Sequence, residues 1–219
     1  MKAMLKNVEI GKTVFYGGRE VMVLDHQDGK TLVLCKESIG DMPFDTDNCN
    51  DWKKSSLRKY LNGEFLNSLI KTSDMERDIE VAEVDLTADD GLTDYGTSND
   101  KIFLLTCDQY RKYRKLIPNL NDWWWLATPY STASNGYAHG VRGVNSDGSL
   151  YYDYACNGDI GVRPAWFLKS DILVSDEEEE SGCTCIVSER TLESYSTREL
   201  LKELIRREGL EKHEDEEEE

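Results

Sequence analysis

The sequence predicts an α+β domain of antiparallel strands and two or more short helices, followed by a charged C-terminal helix. Three observations point there. β-Branched and aromatic runs near the start are separated by Gly-containing turns, the pattern of a strand meander. Short helical stretches with capping residues come next. A strong hairpin signal, Ser146-Asp147-Gly148, stands in the second half. At 219 residues the chain suits one domain plus an appendage and can bury a real core.

Val14-Phe15-Tyr16 runs into a Gly17-Gly18 turn and Val21-Met22-Val23-Leu24 leaves it, so Val8 to Asp25 reads as a strand pair. A second turn, Gln27-Asp28-Gly29-Lys30, leads into Thr31 to Cys35 and completes a meander of three strands. After a polar loop from Asp41 to Asn50, Asp51 is placed to cap a helix from Trp52 to Leu61, with Asn62-Gly63 as its stop. A second short helix takes Phe65, Leu66, Leu69 and Ile70, and Ser73 to Glu76 has the form of a capping box. Ile79 to Leu86 alternates as a half-exposed extended segment, Val81, Val84 and Leu86 against Glu80, Glu83 and Asp85. Asp89 to Asn99 reads as a loop. Lys101 to Leu105 has the apolar run of a buried strand, and Thr106 caps a helix through Tyr113, with Asp108 near its positive end. Tyr137 to Asn145 and Ser149 to Tyr154 form the hairpin, with Val141 and Leu150 directed at the core. Val162 to Leu168 is the last strand of the body.

The formal net charge of −17 is unevenly placed. Residues 171–219 hold 18 acids against 6 Lys/Arg, and residues 1–170 hold 25 against 20. Neither part has the basic stripe that a phosphate backbone demands, which argues against a nucleic-acid partner. Lys2, Lys6 and Glu9 interrupt the first ten residues, so no signal peptide is read there. No run approaches the roughly 20 apolar residues of a bilayer span, and no membrane insertion is expected. Asp176 to Glu180 is a self-repelling block in an acidic linker over 171–195. Ser196-Thr197-Arg198-Glu199 then opens an amphipathic helix to about Arg207, with Leu200, Leu201, Leu204 and Ile205 on one stripe and an acidic end up to Glu219. That helix either docks on the body or binds a partner.

Trp123 to Trp166 is the stretch around which the rest is organised. Trp123-Trp124-Trp125-Leu126-Ala127-Thr128-Pro129 opens it, and Gly161-Val162-Arg163-Pro164-Ala165-Trp166 closes it. From Ala127 to Gly161 there is no Lys, Glu, Gln, Met or Trp, while Tyr, Ser, Asn, Asp and Gly are abundant. Apolar ends around such a middle have the composition of a recognition surface, in which Tyr supplies contact area at low entropy cost and Ser, Gly and Asn supply adaptable hydrogen bonds. An ordinary surface hairpin accounts for the same composition.

The inventory for catalysis is thin. Of three histidines, His26 borders a turn, His213 lies in the tail, and His139 falls in the Tyr-rich stretch. No nucleophile elbow, zincin helix, phosphate-binding loop or dinucleotide fingerprint is present. The six cysteines are scattered, as free thiols in a reducing compartment would be. Cys183-Thr184-Cys185 lacks the second pair that structural zinc needs. No cofactor and no metal are expected.

Four ordered motifs carry a resemblance: Trp52-Lys53-Lys54-Ser55-Ser56-Leu57-Arg58-Lys59-Tyr60-Leu61-Asn62-Gly63-Glu64-Phe65; Asp100-Lys101-Ile102-Phe103-Leu104-Leu105-Thr106; Trp124-Trp125-Leu126-Ala127-Thr128-Pro129; and Gly161-Val162-Arg163-Pro164-Ala165. Over roughly residues 8–170 the chain resembles a bacterial and phage family whose members read W..S.LR.WLN..F, DK.FLLS, WWLRSP and GVRPA. That family resembles C-type-lectin-fold proteins, among them the variable proteins diversified by retroelements (the phage major tropism determinant is the known type). It also resembles the formylglycine-generating and sulfatase-modifying enzymes. Here Ala127 stands where the motif has Arg. The ligand set of a calcium-dependent lectin is missing, so calcium-mediated sugar binding is not implied.

The resemblance implies a C-type-lectin-like domain over 1–170 whose function is recognition of a protein or glycan surface, not catalysis. In retroelement-diversified proteins the adenines of AAC or AAT codons are randomised, and such codons cannot yield Lys, Glu, Gln, Met or Trp, the types absent here. The expected contact residues are Tyr130, Asn135, Tyr137, His139, Arg142, Asn145, Tyr151, Tyr152, Asp153, Tyr154, Asn157 and Asp159. Trp124, Trp125, Arg163 and Trp166 are assigned to the scaffold. The rival from another class is a formylglycine-generating-type enzyme, which requires a reactive cysteine pair or a metal in a cleft of the same loops. Cys107 and Cys156 are the body cysteines nearest those motifs. A structural or adaptor role, with the tail helix as tether, is the third expectation.

Overall fold

A computed structural model describes residues 2–71 and 73–175 of the chain. The acidic block from Asp176, Cys183, Cys185 and the expected C-terminal helix lie outside the described residues. The fold is α+β, mostly antiparallel strands with a few short helices.

β1 (Lys2–Met4) opens the described chain. β2 (Thr13–Tyr16), β3 (Arg19–Gln27) and β4 (Lys30–Cys35) are the expected meander. Its second turn places Asp28 and Gly29 at φ +49° and +75°, left-handed conformations that match the twist of a two-residue hairpin.

The helical segment differs from expectation at both ends. Ser55, not Asp51, caps α1 (Ser56–Tyr60), its hydroxyl accepting from the Arg58 N–H at 3.1 Å. The Asp51 carboxylate accepts from the Lys53 N–H and folds the turn ahead of it. Asn62-Gly63 does not stop the helix. α1 widens into a π turn over Leu61–Phe65 and continues into α2 (Leu66–Leu69). Asn62 accounts for the wide turn: its amide donates to Arg58 O at 3.2 Å and Ile102 O at 2.8 Å, and its oxygen accepts from the N–H groups of Lys101 and Ile102. A helical register set by such a clamp overrides the glycine signal.

After α3 (Ser73–Asp78) come β5 (Ile79–Glu80) and β6 (Ala82–Asp85). Ala82, Val84 and Leu86 take the buried positions and Val81 is 52% exposed, so the alternation falls one residue away from Val81. Part of the expected loop is β7 (Thr97–Asp100), which pairs with β6. β8 (Ile102–Leu104) and α4 (Cys107–Tyr113) appear as predicted, with a capping box between Thr106 and Gln109. β9 (Trp124–Pro129), β10 (Gly140–Val144), β11 (Leu150–Tyr154), β12 (Pro164–Lys169) and β13 (Leu173–Ser175) complete the order.

The larger sheet runs β1-β13-β2-β3-β4-β12-β5, with β8 also paired to β12. A smaller sheet runs β11-β10-β9. The β10–β11 register sets Val141 against Asp153 and Val144 against Leu150, so Val141 and Leu150 face opposite sides of the hairpin instead of one core. At the core, the Trp166 ring packs against Tyr16 and Phe65, and Phe44 packs between Trp52 and Trp125. Buried Asp100 joins two motifs by accepting from Trp52 Nε1 at 2.9 Å and from Arg58 Nε at 2.7 Å.

Candidate ligand-binding surface

The Trp-rich and Arg-Pro segments hold the smaller sheet in place. Trp124, Trp125 and Trp166 are buried. The Trp125 N–H donates to Gly161 O at 2.9 Å and the Gly161 N–H to Trp123 O at 2.8 Å. A Cβ at Gly161 would lie 2.9 Å from both Trp123 O and Ser38 Oγ, so no larger residue fits this crossing. Arg163 is fully buried, and no carboxylate among the described residues pairs with it. Its guanidinium donates to Cys35 O (2.8 Å), Lys36 O (2.7 Å) and Pro118 O (3.2 Å) and lies over the Trp124 ring. Burial pulls its pKa down to about 10, and the bonded carbonyls keep the charge affordable. Ala127, in the place of the motif's Arg, is buried and donates its N–H to Leu105 O. Next to it the Thr128 hydroxyl accepts from the Cys107 N–H and ties β9 to the start of α4.

Between β9 and β10 the chain makes a loop with one 3-10 turn over Ala133–Asn135. Buried Asn50 holds it. Its side-chain amide donates to Ser131 O, Tyr137 O and Gly140 O at 2.8–2.9 Å, and its oxygen accepts from the Tyr95 hydroxyl at 2.7 Å. The Tyr95 oxygen in turn accepts from the Ala133 N–H. Asp94 takes the hydroxyls of Ser134 and Thr132, which hold its carboxyl below the ordinary range.

On this frame stands a continuous row of rings. Trp123 contacts Tyr151 (4.9 Å between centroids), Tyr151 stacks on Tyr152 (5.7 Å), and Tyr152 packs on Tyr130 (4.4 Å). Tyr130 meets Tyr137 (6.0 Å), Tyr137 meets His139 (6.0 Å), and His139 stacks on Tyr154 (5.2 Å). Tyr137, Tyr151, Tyr152 and Tyr154 are each 45–56% exposed. None of the four enters the core; the register sets Tyr151 on the opposite face of β11 from Tyr152 and Tyr154, and the ring contact between Tyr151 and Tyr152 links the two. Arg142, paired across the hairpin with Tyr152, lies over Tyr130 and forms an ion pair with Asp89. Asp89 also accepts from Arg111 at 2.8 Å. Partial burial pushes its carboxyl up, but the donors Arg111 and Arg142 prevail and hold it below the usual value. Beside this pair lies an open cleft of about 250 Å³ lined by Asp89, Asp90, Tyr130, Ser131, Asn135, Tyr137 and Arg142.

Eight of the twelve expected contact residues therefore gather in one place: Tyr130, Asn135, Tyr137, His139, Arg142, Tyr151, Tyr152 and Tyr154. Asn145 does not join them. It sits in the hairpin turn, where its side chain accepts from the Ser146 N–H and its carbonyl from the Gly148 N–H. Asp153, Asn157 and Asp159 follow the edge strand. Asp153 accepts from the Tyr154 N–H and from Asn157, and Asn157 accepts from the Asp159 N–H, so the side chains of Asp153 and Asn157 fold this segment. Asp89 and Asp90 belong to the surface, buried Ser131 to the floor of the cleft, and Asn50, Tyr95 and Asp94 to its support, without having been singled out from the sequence; Trp123, named there as the start of the stretch, ends the ring row. Asn50 and Asp89 came from polar loops whose spacing carries no periodic signal.

Cys107 is buried, its thiol pushed up to about 11 by burial, and Cys156 is exposed; neither is in a disulfide. Among the described residues no group of three His, Cys, Asp or Glu is placed to hold a metal ion. No helix among them is long and apolar enough to cross a membrane. Residues 28–170 match the model of a family described as a domain of unknown function (DUF6273). Neither a curated protein nor a solved structure matches.

Proposed function

The chain belongs to this DUF6273 family, whose model spans well over half of its length, and from that premise we propose that it is a ligand-recognition protein. The observation that supports this most is the row of seven rings from Trp123 to Tyr154, four of them close to half exposed, mounted on a sheet whose own tryptophans are buried. Exposed apolar area of this kind is costly to leave in water and typically marks an interaction surface. Tyrosine and arginine at the centre of a patch carry most of the affinity in recognition interfaces, and here Tyr130, Tyr137, Tyr152 and Arg142 occupy that centre. We assign the finer fold as C-type-lectin-like on the four ordered motifs and the α+β architecture. On the composition of 127–161 we propose that the exposed positions are diversified by a retroelement.

Two experiments test this. In the first, the protein and a Tyr137→Ala/Tyr152→Ala/Tyr154→Ala variant are screened side by side against a glycan array and a panel of purified cell-surface proteins. A ligand bound by the first and lost by the second is expected, with Tm lowered by no more than about 2–4 °C. Equal loss of fold and binding refutes the proposal. The second is sequencing of the neighbouring DNA: a reverse transcriptase gene and a near-copy of the codons for 127–161 are expected, and their absence ends the diversification proposal alone.

A further inference from the structure

We propose that the cleft between Tyr130 and Tyr137 receives a lysine or arginine side chain of a protein partner, with Asp90 as its counter-ion. This rests on the ligand-recognition function and names the chemistry that fills its centre. At about 250 Å³ the cleft is smaller than the 300–1,000 Å³ usual for drug-sized ligands, and suits one inserted side chain.

Charge selects which kind. Arg142 is the single Lys or Arg between Ala127 and Gly161; its Nη2 is paired with Asp89 and its guanidinium lies over Tyr130, while its buried Nε has no hydrogen-bond partner among the described residues. Asp90 accepts from the Leu92 N–H at 3.2 Å and has no cationic partner among the described residues. Asp94, beneath the same loop, and Asp153, on the edge strand, also lack ion pairs among the described residues, their bonds going to hydroxyl, amide and backbone groups. An anionic ligand would enter against these carboxylates. A neutral ligand without donors that covered Asp90 would strip water from a charge and return nothing for it, and one with hydroxyls would return hydrogen bonds without neutralising the charge. A basic side chain compensates the carboxylate and lies against the half-exposed Tyr137 ring, since Tyr130 is already covered by Arg142 and Tyr152. The rings from Tyr152 to Trp123 then cover the partner's neighbouring surface.

The test is an NMR titration of the full chain with three probes: a blocked Gly-Gly-Arg-Gly-Gly peptide, the same peptide with Glu for Arg, and methyl glucoside. The Arg peptide is expected to shift the Tyr130 and Tyr137 ring signals saturably, to weaken with added salt, and to bind about two- to fivefold less tightly to the Asp90→Asn variant. Asp90 is exposed, so the variant is expected to keep the circular dichroism of the parent. Three results overturn the proposal. If methyl glucoside shifts these rings and the Arg peptide does not, the cationic partner is wrong while ligand recognition stands. If Asp90→Asn binds the Arg peptide undiminished, the counter-ion is wrong. If no probe moves either ring, the cleft is not a binding site, and the screen of the tyrosine variant alone decides whether the rest of the row recognises anything.

Discussion

Replacing Asn50 with Ala is expected to loosen the 130–140 loop while leaving the larger sheet intact. In the folded protein the Asn50 amide is the donor for Ser131 O and Tyr137 O, and nothing else donates to either. Gly140 O keeps a second donor, the Tyr130 N–H, so it is spared. Two carbonyls are thus orphaned, and the Tyr95 hydroxyl loses its acceptor. A buried unsatisfied polar group costs about 1–3 kcal/mol, so three of them cost about 3–9 kcal/mol, and because the Tyr137 carbonyl is only part-buried the lower end, about 3–5 kcal/mol, is expected. That is a large share of the 5–15 kcal/mol that typically separates folded from unfolded chains. Urea denaturation reads the global cost, and amide hydrogen exchange over 130–140 reads the local one. Asn50→Asp keeps the shape but turns a carboxylate toward two carbonyl oxygens, and is expected to be at least as damaging. A loss below about 1 kcal/mol for Asn50→Ala, with exchange in the loop unchanged, would refute the assignment of Asn50 as its anchor.

Further outcomes follow from the same contacts. Arg163→Met strands the carbonyls of Cys35, Lys36 and Pro118 and is expected to cost about 3 kcal/mol by urea denaturation; Arg163→Lys recovers little, because one ammonium cannot reproduce the planar fork. Gly161→Ala drives a methyl against Trp123 O and is expected to cost about 1–3 kcal/mol, read as a lowered Tm. Asp89 has a depressed folded pKa, so its contribution is whole above the ordinary carboxylate value and is lost as pH falls through the lower folded one. Stability is therefore expected to decline only below about pH 4, and Asp89→Asn to flatten that decline in an acid titration followed by circular dichroism.

Much of the frame was legible in the sequence because it is written in local signals. Gly17-Gly18 and Asp28-Gly29 specify turns through backbone conformation, and Thr106 with Gln109 specifies a helix start through hydrogen bonds three residues apart. The burial of Trp124, Trp125, Arg163 and Trp166 also agrees with their scaffold assignment. The failures share a physical cause. Asn62-Gly63 looks like a helix stop, yet Asn62 is claimed by β8, forty residues away. Asp89 looks like a loop acid, yet it closes on Arg142, fifty-three residues on. Leu150 and Val141 both look like core positions, and only the pairing register separates their faces. At the candidate surface, composition located the tyrosines and Asn135 but not Asn145 and Asn157. Tyr151, Tyr152 and Tyr154 are exposed on β11, whereas Asn145 and Asn157 place their polar groups in turns.

Asn50 donates to the loop only at carbonyl oxygens, a chemical group that every residue type carries. Because Tyr137 is held by its main chain, its ring is invisible to the clasp beneath it, and a change there leaves the anchor intact. Thr132 and Ser134 are the opposite case, since Asp94 holds the loop by their hydroxyls.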